Sequence, residues 1–316
     1  LRGVVSRPYV THEDGEQPMK FQPLISVIMP ARNAGRFVTA AVKSIQNQTY
    51  SHWELLVMDD GSIDRTGAIL SRLAKKDRRV QLFRNEKSRG IAVSLNMLVK
   101  KTRGSYIARM DADDISLPTR LTKQLNYLQN HPKVIACGGS AEMIDSKGLV
   151  FAQKHFPTNP DVLHNLIMRM VPIQHPIMLV RAHALKTVRY NEHMRTAEDV
   201  DLFFKLLRLG QFGNITDIIY QYRKVDTSNG YHDVKETFYL TFWARFQGII
   251  RYGYVPTMGG VLYSLVEFLV VTALPAKAVV RLYEWYRFRW PMVAIVFEKP
   301  FFAPLGKPKL MPLGLG

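Results

Sequence analysis

Gly104-Ser105-Tyr106-Ile107-Ala108-Arg109-Met110-Asp111-Ala112-Asp113-Asp114 is the stretch on which the fold turns. Its apolar run, Tyr106 to Met110, reads as a buried strand that breaks off directly into acids. Working outward, Leu24 to Met29, Trp53 to Met58, Val80 to Phe83 and Val134 to Cys137 are further short apolar runs, each read as a strand covered on both faces. Helical spacing fills the gaps: Phe37, Ala41, Val42 and Ile45 in the first, Ile69, Leu70 and Leu73 behind a capping Asp64 in the second, Ile91 to Val99 in the third. Strand and helix in strict alternation predict an α/β domain, with a mostly parallel sheet flanked by helices.

In such sheets ligands bind beyond the carboxyl ends of the strands. Here those ends are polar: Pro30, Ala31, Arg32 and Asn33 close the first, Asp59 and Asp60 the second, Asn85 the third, and Asp111, Asp113 and Asp114 the fourth. A nucleotide site accounts for that concentration most simply. Alternation puts Asp111 and Asp113 on one side, giving a divalent cation hard oxygen ligands and leaving positions for phosphate oxygens. The competing reading is an acidic turn in which Asp114 or Ser116 caps a helix over Leu117 to Gln129. Asp59-Asp60-Gly61-Ser62 offers acceptors for a base or ribose, Gly61 permitting close backbone approach, although Asp-Gly is also a common turn. Arg89 opens the helix that carries Asn96, where a guanidinium suits a diphosphate as well as it suits bare solvent.

Beyond Cys137 the pattern changes to a hairpin around Ser146-Lys147-Gly148, followed by mixed segments. Glu198 to Leu209 is a clear helix, with Val200, Phe203, Phe204 and Leu207 on one face and Gly210 as its stop. Its first turn holds Glu198 and Asp199. The helix dipole alone explains carboxylates there, but one of them is also suited to take the proton of an acceptor hydroxyl. Asp201 reads as solvated. His175, between Gln174 and Pro176, is a candidate contact to acceptor or metal, or a structural group. A strand at Ile215 to Tyr222 and a helix from Tyr231 to Tyr252 follow.

The chain has 316 residues, 47% hydrophobic and 11% aromatic, enough for a substantial core and unlike a disordered segment. A single cysteine, Cys137, excludes an intrachain disulfide framework and fits a reducing, cytoplasmic setting. Residues 1–22 have no signal-peptide-like apolar run and no initiator Met, so they are read as an extension without a role in the fold. Residues 23–230 form the main domain and 231–316 a helical extension. Net charge is +17, but the cations are not interleaved with aromatics as in a nucleic-acid motif, so no nucleic-acid partner is expected. Pro256 to Ala276 is long enough to span a membrane, yet Glu267, Pro275 and paired glycines make it a poor span. Lys277, Arg281, Arg287 and Arg289, set among Tyr283, Trp285, Tyr286, Phe288 and Trp290, suit a headgroup layer. That predicts peripheral attachment to an anionic membrane surface on the cytoplasmic side; a packing helix or oligomer interface is the alternative.

The joint order of these motifs resembles family 2 glycosyltransferases, inverting enzymes with the nucleotide-sugar-binding fold called GT-A. The resemblance runs from about Leu24 to Arg223. It rests on Ile25 to Asn33, Gln48-Thr49-Tyr50, Trp53 to Ser62, Gly104 to Asp114, Ala197 to Leu202 and Tyr222-Arg223. It implies that Asp59 and Asp60 lie at the base and ribose, Asp111 near the ribose, Asp113 on manganese or magnesium (Mn2+ or Mg2+), and that Asp199 is the base. It implies a nucleotide sugar donor, with uridine as the preferred base, and a lipid-linked or glycan acceptor. His175-Pro176-Ile177-Met178-Leu179-Val180-Arg181 resembles the bacterial members that build surface glycans, whereas the 86–91 loop departs from the family's usual Asn-x-Gly pattern. Sugar nucleotidyl transfer is the rival chemistry, but Ala31-Arg32-Asn33-Ala34-Gly35 lacks the Gly-rich phosphate loop it needs. A non-catalytic lipid- or nucleic-acid-binding protein would have no need of acids at every strand end.

Overall fold

The computed structural model describes residues 22–224 and 234–289, with side chains to Leu282. The first 21 residues, the 230/231 boundary and the aromatic and basic side chains expected from Tyr283 onward lie outside the described residues. Strands β1 (Ile25–Ala31), β2 (Trp53–Asp60), β3 (Val80–Asn85) and β4 (Tyr106–Arg109) are parallel, in the spatial order β3-β2-β1-β4. Helices α1 (Val38–Gln46), α2 (Thr66–Lys76) and α3 (Ile91–Lys101) connect them. β1, β2 and β4 are buried on both faces, as their continuous apolar runs require, whereas β3, expected to be buried over Val80 to Phe83, ends the sheet and is only partly covered from Gln81 to Phe83. Val27, Leu55, Val57 and Ala108 join one core with Val42 and Ile45, while Ile28, Leu56, Met58 and Ile107 join the other with Leu95 and Leu98.

Register fixes the site. Ala31 lies opposite Asp59 and Asp60 opposite Asn85, so β1, β2 and β3 end on one rim. β4 stops sooner: Arg109 pairs with Ile28 while β1 runs on to Ala31, and Met110 to Asp114 turns out into the space left over. The acids are then caught on their far side by β5 (Ile115–Ser116), which pairs antiparallel with β9 (Gln211–Arg223).

The remainder is mixed, not a continuation of the parallel sheet. β6 (Val134–Ile144) does not add beside β4; β8 (Leu179–Arg181) is inserted antiparallel between them, and β9 runs parallel to β6. The expected hairpin is present, β6 turning at Gly148 (φ 88°) into β7 (Val150–Lys154). Helix α4 starts at Arg120, and neither proposed residue caps it: Ser116 is in β5, and Asp114 bonds to β9. Then come α5 (Pro160–Leu166), a 3-10 turn at His175–Ile177, α6 (Ala182–Val188) and α7 (Glu198–Leu207).

Helices α8 (Val234–Ile250), α9 (Met258–Ala273) and α10 (Ala276–Arg289) form the extension. They are fastened to the α5–α7 side by polar as well as apolar contacts. Buried Arg245 is paired with Glu267 and donates to the Arg169 carbonyl at 3.1 Å; Tyr254 Oη donates to the His164 carbonyl and Ser264 Oγ to the Met168 carbonyl. Asp201, expected to be solvated, is buried, paired with Lys205 at 2.6 Å and bonded by the Tyr252 hydroxyl at 3.0 Å, because α8 ends over it. No helix among the described residues is long and apolar enough to cross a membrane.

Candidate active site

Arg109 is the hub of the site, and reading the sequence did not single it out. It ends β4 with only 3% of its surface exposed, and its guanidinium lies 2.6 Å from Asp111 Oδ2. Burial opposes its charge, but Asp111 more than offsets that, so the cation is retained. Its Nε has no hydrogen-bond partner, and the contact to Asp111 is close but poorly angled. Arg120, wholly buried against the Tyr220 ring, donates to the Arg109 carbonyl at 2.8 Å and holds the strand end.

Asp111, Asp113 and Asp114 each bring a carboxylate oxygen within 4.8 Å of the others. Their roles separate by exposure. Asp114 is 1% exposed and accepts the Arg223 backbone N–H at 2.7 Å, and the Arg223 guanidinium donates in turn to the Asp113 carbonyl at 2.8 Å. Asp111 and Asp113 are only partly buried, behind the 5%-exposed Ala112. Burial and then the neighbouring Asp111 charge push Asp113 up to about 6. Hard oxygens gathered this closely, with Asp111 and Asp113 only partly buried, could hold a divalent cation of the magnesium or manganese type.

The second acidic pair opens α7. Ala197 takes a left-handed conformation (φ 58°) that turns the chain into the helix. Glu198 points inward, 4.0 Å from His175 Nδ1, whereas Asp199 is half-buried and accepts from the Val200 N–H at 2.8 Å. Burial first and Asp199 second raise Glu198 to about 8; Asp199 is raised by burial, with the Val200 N–H and Arg109 opposing. Arg109 and Asp111 thus lie close enough to bias both acids of a segment remote in sequence.

Four expected donor or acceptor residues have partners within the protein. His175 is 5% exposed, held neutral by burial, and its Nε2 meets the Tyr190 hydroxyl at 2.9 Å, as a packing group would. The Asn96 amide bonds to Tyr190 O, Tyr190 N and Glu192, bracing α3 against the 190 loop. Asp60 is saturated by Asn85, Ser88 and the Arg89 and Gly90 N–H groups, which makes it the latch of the 86–90 loop. Asp59 is fully enclosed, accepting from Ser62 N, with Arg84 at 3.5 Å. Only its Oδ1 is hydrogen-bonded; Oδ2 has no hydrogen-bond partner.

At the rim, Asn33 (φ 50°) accepts the Ile63 N–H and donates its own N–H to Ser62, stitching the loops after β1 and β2 together. Pro30 and Ala31 line that edge, and Arg32 and Arg89 are exposed cations on it.

A family model described as glycosyl transferase family 2 matches residues 26–192. An uncharacterized glycosyltransferase of Haemophilus influenzae is 34% identical over 229 residues, 68% of this chain and 71% of that one. The O-antigen biosynthesis glycosyltransferase WbnJ of Escherichia coli is 29% identical over 214 residues, 65% of this chain and 81% of its own. Among solved structures, Staphylococcus aureus TarS 1–349 in complex with UDP-GlcNAc superposes with a TM-score of 0.60 at 20% identity, covering 78% of this chain and 72% of that one. At that identity the likeness speaks for the fold.

Proposed function

The chain belongs to glycosyl transferase family 2, and from that premise we propose that it moves a sugar from a nucleotide sugar, UDP-linked, onto a hydroxyl of a lipid-linked bacterial surface glycan, with inversion. The observation that carries this reading is the sharing of Arg109 by two acid groups from distant segments, Asp111 with Asp113 and Glu198 with Asp199. The relative named for O-antigen synthesis and the fold neighbour holding UDP-GlcNAc support the glycan and the donor.

In this reading Asp111 and Asp113 hold the divalent cation, which supplies positive charge to the departing nucleoside diphosphate. Asp199 is the base: of the α7 pair it is the acid that reaches solvent, and it takes the proton of the acceptor hydroxyl as that oxygen attacks the anomeric carbon. Glu198, turned toward His175, keeps its proton near neutrality and leaves Asp199 as the ionised member. Arg109 limits the repulsion between the two acid groups. Pro30, Ala31, Arg32 and Asn33 border the nucleoside, and Arg89 is the candidate contact to phosphate. Asp59 and Asp60 shape that pocket by pinning the loops after β2 and β3. The enzyme works at the inner face of the cell membrane, where lipid-linked acceptors lie.

Incubation with a panel of nucleotide sugars, with manganese or with chelator, tests the reaction class. Metal-dependent release of nucleoside diphosphate is expected. Pyrophosphate as the product would reassign the site to nucleotidyl transfer, and no product with any donor would leave a binding protein.

A further inference from the structure

Helix α9 carries a single charged residue, Glu267, and that residue is turned inward onto buried Arg245. Its outward face is therefore uncharged. Leu262, Leu265 and Leu269 stand out from it at i, i+3, i+7, with Leu262 and Leu269 61% and 64% exposed. The adjacent α8 repeats the spacing with Trp243, Phe246 and Ile250, the last 63% exposed. Both helices are held to the domain by their opposite sides, Gly248 against the Phe204 ring and Ser264 on the Met168 carbonyl. A helix on a water-facing surface normally puts its charges outward. Here two neighbouring helices put their bulkiest apolar groups there instead.

We propose that this α8–α9 face is a docking surface for the headgroup layer of an anionic lipid membrane, with both helices lying in the plane of the surface. The proposal rests on the reading that the enzyme acts on a membrane-bound acceptor. A 16-residue helix is about 24 Å long, short of the roughly 30 Å of a hydrocarbon core, so α9 lies on the bilayer and does not cross it. Charge selects lipid over a second copy of the chain. Arg251, which follows Ile250 in the chain, and Lys277 and Arg281 of α10 are exposed, while the acids with described side chains in these helices are Glu236 and the neutralised Glu267. Two-fold self-association would bring those cations toward their own copies, whereas an anionic headgroup layer pairs with them. Trp243 beside a basic rim also suits the interfacial zone, where one edge of the ring is dry and the other wet.

Flotation of the full chain with phosphatidylcholine vesicles, with and without phosphatidylglycerol, tests this. Binding is expected to the phosphatidylglycerol vesicles, at least ten-fold weaker to phosphatidylcholine alone, and at least ten-fold weaker for the L265E/L269E double variant. Because both positions are exposed, the variant should melt with the wild type and keep its release of nucleoside diphosphate. Unchanged flotation of the variant, equal binding to both vesicle types, or no binding to either would overturn the proposal. So would a wild-type dimer that dissociates on L265E/L269E substitution while vesicles are ignored. Flotation of a wild type that releases no nucleoside diphosphate would sink the transfer reading and leave the docking surface standing.

Discussion

Replacing Arg109 with Met removes the one buried cation that touches Asp111 and biases Glu198 and Asp199. With the guanidinium 2.6 Å from the carboxylate, the charge centres are about 4 Å apart, worth about 4 kcal/mol at an effective dielectric near 20. The Asp111 side chain is 27% exposed, so water takes up part of that loss and about 2–3 kcal/mol of destabilisation is expected. For a chain of this size that lowers Tm by about 5 °C. A second effect separates an electrostatic role from a packing one. Losing a nearby positive charge disfavours the ionised carboxylate, so the Asp199 pKa rises and the acidic limb of the pH profile of kcat/KM moves to higher pH. The sign follows from the lost positive charge, and a limb displaced by about one pH unit corresponds to about 1.4 kcal/mol of lost interaction. Thermal unfolding and the pH profile are read on one preparation. A variant that melts lower with the limb unmoved would make Arg109 a packing residue only; one that changes neither would refute its place as hub.

Glu198→Gln should behave differently. Glu198 already holds its proton up to about 8, so the substitution leaves neutral-pH turnover and the acidic limb in place, and a loss of turnover above a hundred-fold would make Glu198 the base. The folded value lies above the unfolded one, so its contribution to stability is full at acid pH and is lost as pH rises through about 8; denaturation from pH 6 to 9 should show that loss in the wild type and not in Glu198→Gln. Asp114→Ala strands the Arg223 N–H and should cost about 1–3 kcal/mol in chemical denaturation, whereas Asp114→Asn keeps an acceptor there and should cost under about 1 kcal/mol. Gly61→Ala places a Cβ 2.5 Å from Ser88 N at a backbone φ of 66°, so it should loosen the 86–90 loop and raise KM for the donor several-fold with kcat little changed.

The parallel half of the sheet was legible because β1, β2 and β4 are buried on both faces and each carries a dense apolar run, Leu55 to Met58 most plainly, while β3 at the edge shows a weaker one. The acidic cluster was legible for a local reason too, since Asp111, Asp113 and Asp114 stand together in the few residues that follow β4 and their carboxylates come within 4.8 Å of one another. What escaped depends on partners far away in the chain. β8 is three residues long and owes its place to β4 and β6, so Leu179 to Arg181 carries no signal of its own. Asn96 and His175 were chosen as polar groups near the right elements, but their partners at Tyr190 and Glu192 lie in a loop with no pattern. Arg109 had a usable signal: an arginine inside an apolar strand, two positions before an acid on the same side, must be paired when buried. Asp59 and Asp60 do stand at the strand end, but depth of burial is not written in the run itself; Asp60 is bonded to the 86–90 loop, while Asp59 holds Ser62 N through Oδ1 only.

The most direct measurement is a comparison of donor affinity and turnover in Asp199→Asn and Asp113→Ala, each with manganese and with chelator. The account predicts that Asp199→Asn binds the nucleotide sugar as the wild type does and loses transfer by at least a thousand-fold, while Asp113→Ala loses the manganese-dependent part of donor binding. Wild-type turnover in Asp199→Asn, or undiminished metal-dependent binding in Asp113→Ala, would contradict it.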